Sequence, residues 1–243
     1  MSIDERPFGW VYQVCAIAAL AVAILLPSAG KRVPVGDRKT YWILQLVTLS
    51  GAIIGAKLVM LMADLGWPAR PIAGEQVIFS GRSLVGGLLG GFLAAEAAKP
   101  ILHYRLPPND WFAVKLMLSV AIGRVGCLLA GCCRGLPAEH GLLVHYSDGI
   151  ARHAIAIYEL SFHLVLFGVL LWLERQRRAA GQLFALYLVV YGVFRFALEP
   201  LRETPKLVYG SSVYQVACVL MVGCGLWSMA RTRKLVRAMV ARS

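Results

Sequence analysis

Residues 110–135 read DWFAVKLMLSVAIGRVGCLLAGCCRG. Between Asp110 and Arg134 the run holds two charges, Lys115 and Arg124, and is otherwise apolar, small or singly hydroxylated. Its apolar part is about as long as the ~20 residues an α-helix needs to cross a hydrocarbon core. It shows no strand-like alternation, and a backbone in lipid must satisfy its own hydrogen bonds, which only a helix or a closed barrel achieves. The stretch therefore predicts a transmembrane helix that carries a permanent cation and ends in a group of thiols.

The same pattern recurs along the chain. Of 243 residues, 58% are hydrophobic and 16% charged, with a mean hydropathy of +0.66. Soluble domains carry about 25% charged residues, and one soluble core of this size cannot hide so much apolar surface. Seven spans are expected, near 9–27, 41–65, 81–98, 110–131, 155–173, 182–200 and 211–230. The fold class is an all-α polytopic membrane protein of about seven transmembrane helices, read as one integral membrane domain over 1–243. The first span is read as a retained helix: Asp4 and Glu5 accompany Arg6 before it, the apolar run is long, and no A-x-A cleavage site follows.

The net charge of +12 would suggest nucleic acid in a soluble protein. Here position matters more than the sum. Lys31, Arg32, Arg38 and Lys39, then Lys99 and Arg105, then Arg175, Arg177 and Arg178 fall on alternate connections, and Arg231, Arg233, Lys234, Arg237 and Arg242 fill the C-terminal tail. The positive-inside rule makes that side cytoplasmic. The N-terminus and the loops near 66–80, 132–154 and 201–210 then face outward. Topology and anionic lipid account for most of the charge, and no nucleic-acid partner is expected.

Some charges are not explained by topology. Arg124, Lys57, Lys115, Glu159 and Arg195 lie within spans, Glu199 near the end of the sixth, and Arg82 and Arg202 near outer ends. Each intramembrane charge costs about 2.5–3.5 kcal/mol on insertion scales, so such groups pair or line a cavity. One reading has Arg124 and Arg195 pair with Glu159 and Glu199 and pin the helices. The other is an anion site open to the outer leaflet. Arginine stays charged and grips phosphate with two parallel hydrogen bonds, and the anion at hand in a bilayer is a phospholipid headgroup. Arg195, Glu199 and Arg202, spaced by four and three, fall on one face of a helix, where Glu199 would orient both cations, unless Pro200 bends or ends the helix and leaves Arg202 on a flexible rim. The paired glycines at 86–87 and 90–91 suit close helix or lipid approach, with packing the default.

Five segments, in order, resemble the motifs of the prolipoprotein diacylglyceryl transferase family: SGRSLVGGLLGG (80–91), GRVGCLLAGCCRG (123–135), RHAIAIYE (152–159), YGVFRFALEPLRE (191–203) and SVYQ (212–215). The resemblance covers about 45–220. It implies transfer of a diacylglyceryl group from phosphatidylglycerol, or a related anionic phospholipid, to the lipobox cysteine in a preprolipoprotein signal peptide. Glycerol phosphate is released, no metal or soluble cofactor takes part, and the enzyme sits in the bacterial cytoplasmic (inner) membrane with its site towards the outer leaflet. Carried over by position, Arg124 and Arg195 are the catalytic cations. Arg202, Glu199, Arg152, Tyr158, Glu159, Gly86, Gly87 and Cys127 bind substrate. Where the family motif has histidine before its glycine pair, this chain has Val85, which leaves His153 as the candidate base. Cys127 stands at the motif's asparagine, and Ala130, Gly131 and Cys132 at its N-G-E. These departures concern the acceptor side. A different acceptor, or a non-catalytic lipid- or lipoprotein-binding protein on the same fold, are the rival readings.

His163 reads as a packed or bonded helix residue, and His140 and His145 as loop residues. Six cysteines without spaced C-x-x-C pairs make no zinc signature. Cys15, Cys218 and Cys224 read as apolar packing. For Cys127, Cys132 and Cys133 three readings stand: a disulfide from Cys127 to Cys132 or Cys133, plain packing, or a reactive thiol near Arg124.

Overall fold

The structure, a computed structural model, describes residues 9–25, 38–65, 83–104, 110–146, 148–179, 181–204, 206–207 and 210–240. The expected loop at 66–80, Arg82, and the cations Lys31, Arg32, Arg105 and Arg242 lie outside the described residues.

Seven α-helices run in chain order: α1 Gly9–Leu25, α2 Arg38–Leu65, α3 Leu84–Ile101, α4 Asp110–Leu129, α5 Ile155–Arg175, α6 Leu183–Leu198 and α7 Val213–Val240. From α2 onward each holds a span long and apolar enough to cross a membrane, and α1 is a shorter apolar helix of 17 residues. Each overlaps its expected span closely, except that α7 runs ten residues beyond the expected 211–230. Lipid-suited exposure is plain on α2, where Leu46, Ile53, Ile54 and Leu58 are all more than half exposed. Between α4 and α5 the sequence reading had only a loop. The structure has a hairpin there, β1 Leu143–His145 antiparallel to β2 Ala151–His153, with Val144 opposite Arg152.

The described residues divide into two compact units. The first draws on Met1–Gly30, Asn109–Phe184 and Pro200–Glu203, the second on Lys31–Pro108, Ala185–Glu199 and Thr204–Ser243.

In the first unit α1 and α5 both pack on α4. Gly126 of α4 lets α1 come close: a Cβ there would stand 2.7 Å from Cys15 Cβ. The hairpin has its own small core of Val144, Tyr146 and Ala154, with Leu128 of α4 and Ile157 of α5 packed against it. Asp110, at the head of α4, accepts backbone N–H bonds from Gly181, from Leu183 at 3.0 Å and from Phe184 at 3.4 Å. These are donors that the start of α6 would otherwise leave unmet.

In the second unit α2 and α3 meet through glycine. Gly51 and Gly55 on α2 face Gly86 and Gly90 on α3, each pair four residues apart, so one bare stripe lies on the other. A Cβ at Gly90 would stand 2.8 Å from Gly55 Cα, and one at Gly86 2.8 Å from Val59 Cβ. Ser83 caps α3 by accepting the Gly86 N–H at 3.1 Å. Phe92 of α3 meets the Trp227 ring of α7 edge-on, with centroids 6.4 Å apart. A second close pair joins α6 to α7, where a Cβ at Gly225 would stand 2.8 Å from the Ala185 carbonyl.

Two predictions follow from this packing. Gly86→Ala should lower the melting temperature in detergent clearly, because overpacking costs about 1–3 kcal/mol and this methyl meets backbone. Gly87→Ala should be tolerated, since its Cβ would find only Ala52 O at 3.5 Å and Ala56 Cβ at 3.6 Å. Equal losses from both would contradict the stripe. Burial raises the Asp110 carboxyl from 3.8 to about 6 against the backbone bonds that lower it. Between those values the folded chain holds a proton that the unfolded chain has lost. Stability should therefore fall as pH rises from about 4 to about 6, by on the order of 2–3 kcal/mol from this group. Melting curves of Asp110→Asn should lack that component.

Candidate functional site

The first unit places two of the expected arginines around one carboxylate. Glu159, on the first turns of α5, has a fully buried side chain. Arg124 of α4 forms an ion pair with its Oε2. Arg202 reaches its Oε1 at 3.5 Å. The two guanidinium side chains keep exposures of 11% and 13% against none for the carboxylate, so the cations stand at the open edge of the group. Two guanidinium groups thus face one carboxylate at the end of α4.

Backbone geometry sets Arg202. The α6 helix ends at Leu198, and Glu199–Leu201 tightens into a 3₁₀ turn around Pro200. Segment 134–138 then runs between the following residues and β2. Leu136 N donates to Leu201 O at 2.8 Å, and Glu203 N to Arg134 O at 3.3 Å. His153 N donates to Leu136 O at 3.1 Å, and Ala138 N to Ala151 O at 3.1 Å. Gly135 pairs with Arg202 and Pro137 with Arg152 as bridges. Gly135 is required there, since a Cβ would stand 2.7 Å from His153 Cβ.

The helix ends just before Pro200, as the sequence allows, and within the first unit Arg202 stands against Glu159. In the second unit Arg195 forms an ion pair with Glu199 one turn on, and its guanidinium lies 5.7 Å over the Tyr214 ring. Glu199 Oε1 accepts from Thr204 Oγ1 and from Ser212 Oγ, each at 2.7 Å. Lys206 Nζ donates to the Glu199 carbonyl at 3.3 Å. Ser212 is itself bonded to Gln215, whose Oε1 accepts its N–H at 3.0 Å. Both ion pairs expected from the sequence, Arg124 with Glu159 and Arg195 with Glu199, are therefore present.

The remaining expected residues fall in place around the hairpin. Arg152 is buried on β2, and its guanidinium bonds Asp148 at 3.0 Å and Glu203 at 3.4 Å. The Ile150 N–H and then Arg152 hold the Asp148 carboxyl below its usual range. Tyr158 OH accepts the Leu142 N–H and donates to the Leu142 carbonyl, both at 3.2 Å, and stands 3.5 Å from His153 Nδ1. His153 is half-buried beside it. His163 behaves as expected: it is fully buried, with Nδ1 at 2.7 Å from the Glu159 carbonyl. His145 sits on β1 and His140 in the loop before it, both exposed. Gly86 and Gly87 belong to the second unit, where Gly86 meets α2 backbone, and Val85 is buried beside them.

The helix α4 stops as its sequence implies. Gly131 takes φ of 65° and Cys133 φ of 62°, a left-handed backbone that reverses the chain. Cys132 and Cys133 thereby fold back on Cys127. The three Sγ atoms lie within 4.8 Å of one another, and Cys132 Sγ stands 3.7 Å from Cys133 Sγ. Neither expected disulfide is present, and all three are thiols. Arg124 Nη1 points at Cys133 Sγ from 3.8 Å. The neighbouring thiols, then Arg202 and Arg124, hold the Cys133 thiol well below its usual range.

Sequence reasoning missed Asp148, Glu203, Thr204 and Ser212, which fix the arginines, and Arg134, whose guanidinium lies 5.2 Å over Tyr146. Polar residues packed closely after the arginine motif were the available signal for Glu203 and Thr204.

Breaking a buried ion pair from one side costs about 3–5 kcal/mol, because the other charge is left behind. Glu159→Ala should therefore destabilise the chain by roughly that amount in detergent, seen as a large fall in melting temperature. Tyr158→Phe, which loses only the loop bonds, should cost about 1 kcal/mol. A Glu159→Ala loss no larger than that of Tyr158→Phe would rule out the shared-carboxylate arrangement.

No solved structure matches the chain. Curated proteins do. A phosphatidylglycerol–prolipoprotein diacylglyceryl transferase of Clostridium tetani is 26% identical over 90% of this chain and 92% of its own length. The proteins of that name from Nitratidesulfovibrio vulgaris and Methylibium petroleiphilum are 31% and 34% identical, covering 79% and 75% of this chain and 77% and 75% of their own lengths. With the family described as prolipoprotein diacylglyceryl transferase matched over residues 5–231, the chain belongs to that family.

Proposed function

We propose that the chain transfers the diacylglyceryl group of phosphatidylglycerol to the cysteine thiol of a prolipoprotein signal peptide, releasing glycerol phosphate. The observation that carries this reading is the carboxylate Glu159 held between Arg124 and Arg202. It sets two cations at the open edge of the group, at the end of a membrane helix. A thiolate attacking the glyceryl carbon breaks that carbon's bond to the phosphate oxygen, and negative charge grows on the leaving phosphate. Fixed guanidinium groups in a site of low dielectric stabilise that charge without reorganising. Arg124 is assigned to it, with Arg202 beside it. Arg195, oriented by Glu199 and Tyr214, is the second catalytic cation.

His153 is the base for the acceptor thiol in this reading, with Tyr158 against its Nδ1. Arg152 and Tyr158 hold the hairpin that carries it, and Cys127, Gly86 and Gly87 are assigned to the substrate-binding surroundings. The distribution of Lys and Arg supports an outside N-terminus, a cytoplasmic C-terminus and a site towards the outer leaflet of the bacterial inner membrane. Val85, Cys127 and Cys132, at positions where the family motif carries polar groups, favour one second reading, the same donor with another acceptor.

Expression in cells depleted of their own transferase tests the main reading. We expect growth rescue, and a lipobox peptide incubated with phosphatidylglycerol should gain the mass of a diacylglyceryl group. Phospholipid turnover with an unmodified peptide would establish the other acceptor, and neither change would leave a binding protein. Arg124→Ala and Arg195→Ala should each abolish transfer, by about 100-fold or more, while still inserting in the membrane. Near-normal activity in either variant would remove that arginine from the site.

A further inference from the structure

The thiol triad at the end of α4 has a geometry that the diacylglyceryl transfer does not require. Cys127, Cys132 and Cys133 bring three sulfurs within 4.8 Å of one another from only seven residues of chain. A zinc ion binds thiolate at about 2.3 Å, which sets neighbouring sulfurs of a tetrahedral site about 3.8 Å apart. Cys132 and Cys133 already stand at 3.7 Å. The left-handed turns at Gly131 and Cys133 hold them there, so the triad is built by the backbone. Cys132 is exposed, which gives an ion a way in. Among the described residues no histidine, carboxylate or fourth cysteine joins the group. Three protein ligands with one position left open is the arrangement of catalytic zinc, whereas structural zinc closes all four. Arg124 Nη1, 3.8 Å from Cys133 Sγ, is placed to offset the negative charge that three thiolates and one divalent ion leave.

We propose that Cys127, Cys132 and Cys133 bind one zinc-class ion whose open fourth position takes the acceptor thiol. The functional half of this proposal rests on the transferase reading above. A thiol that coordinates zinc gives up its proton readily, so the neutral imidazole assigned as the base, His153, suffices to take it. The bound thiolate then attacks the glyceryl carbon. A carbon–sulfur bond forms as the carbon–oxygen bond to phosphate breaks, and the electron pair leaves with glycerol phosphate. The product is a neutral thioether, a poorer ligand, and it departs from the ion. The buried Val85, at the place of the family motif's histidine, removes one proton acceptor, and the triad supplies another way to make a thiolate.

The test uses the full chain, purified in detergent under a non-thiol reductant and loaded with Co²⁺ as a spectroscopic probe for zinc. We expect one ion per chain, with thiolate charge-transfer bands and tetrahedral d–d bands. Cys132→Ser and Cys133→Ser should each weaken binding at least 100-fold, whereas Cys224→Ser, on α7, should leave it unchanged. A lipobox peptide should shift the d–d bands, and its Cys→Ser counterpart should not. No stoichiometric binding, or binding indifferent to Cys132 and Cys133, would overturn the metal site. Bands that ignore the peptide thiol would overturn the open position. A triad that binds metal and peptide thiol in a chain without diacylglyceryl transfer would sink the transferase reading and leave the metal site standing.

Discussion

A carboxylate with no exposure inside a membrane protein is costly unless cations stand against it, and Glu159 has two. The dependence runs in both directions. Arg124, within a membrane helix, would be costly alone, and Arg202 lies on a segment with little apolar surface of its own to anchor it. The carboxylate therefore ties α4, α5 and the strip after α6 together within one unit. Because arginine does not deprotonate, both positive charges persist at any physiological pH. The same balance that makes the arrangement stable leaves it able to meet an anion.

The hairpin and its bridges extend this constraint from charge to backbone. Segment 134–138 bonds Leu201 and Glu203 on one side and β2 on the other, so Arg202 and Arg152 sit in register on a common scaffold. Side chains built on paired backbone hold their positions better than side chains on open loops. The second unit works by different physics. Between α2 and α3 glycines and small side chains let the backbones come close, and dispersion at short range does the joining. Its charged group is assembled locally, as Arg195, Glu199, Thr204 and Ser212 come from one stretch of about eighteen residues and need no distant partner.

The helices were legible because length and apolarity are bulk properties of a segment, and the bilayer permits few other structures. The ion pairs were legible for a related reason: charges are so costly in a span that opposite ones must meet. What was legible only in part depended on chain reversal. Helical spacing placed Arg195, Glu199 and Arg202 on one face, and Pro200, directly after Glu199, marked where the helix gives way to a 3₁₀ turn. The hairpin escaped because its strands are three residues long, too short for alternation to register. The sulfur cluster was legible in part: the disulfide reading already brought Cys127 against Cys132 or Cys133, but its spacing matches no zinc signature and the three meet as thiols. Its convergence comes from left-handed φ at Gly131 and at Cys133, the second of which a cysteine rarely adopts.

That last strain bears on function. A non-glycine residue held at positive φ costs free energy of order 1–3 kcal/mol and persists only where its surroundings enforce it. Gly135 bridging to Arg202, two residues on, is part of what enforces it, so the placement of Cys133 and the placement of the cation are one structural decision. Relative to the family motif, the hard cations on the phosphate side are kept and polar groups on the other side are replaced by sulfur. Electrostatics suits the half of the reaction in which charge accumulates on oxygen. Sulfur ligands suit the half in which a thiol must lose its proton. The sequence around Arg124 joins the two within ten residues, which places the means of handling both reactants at the end of one helix.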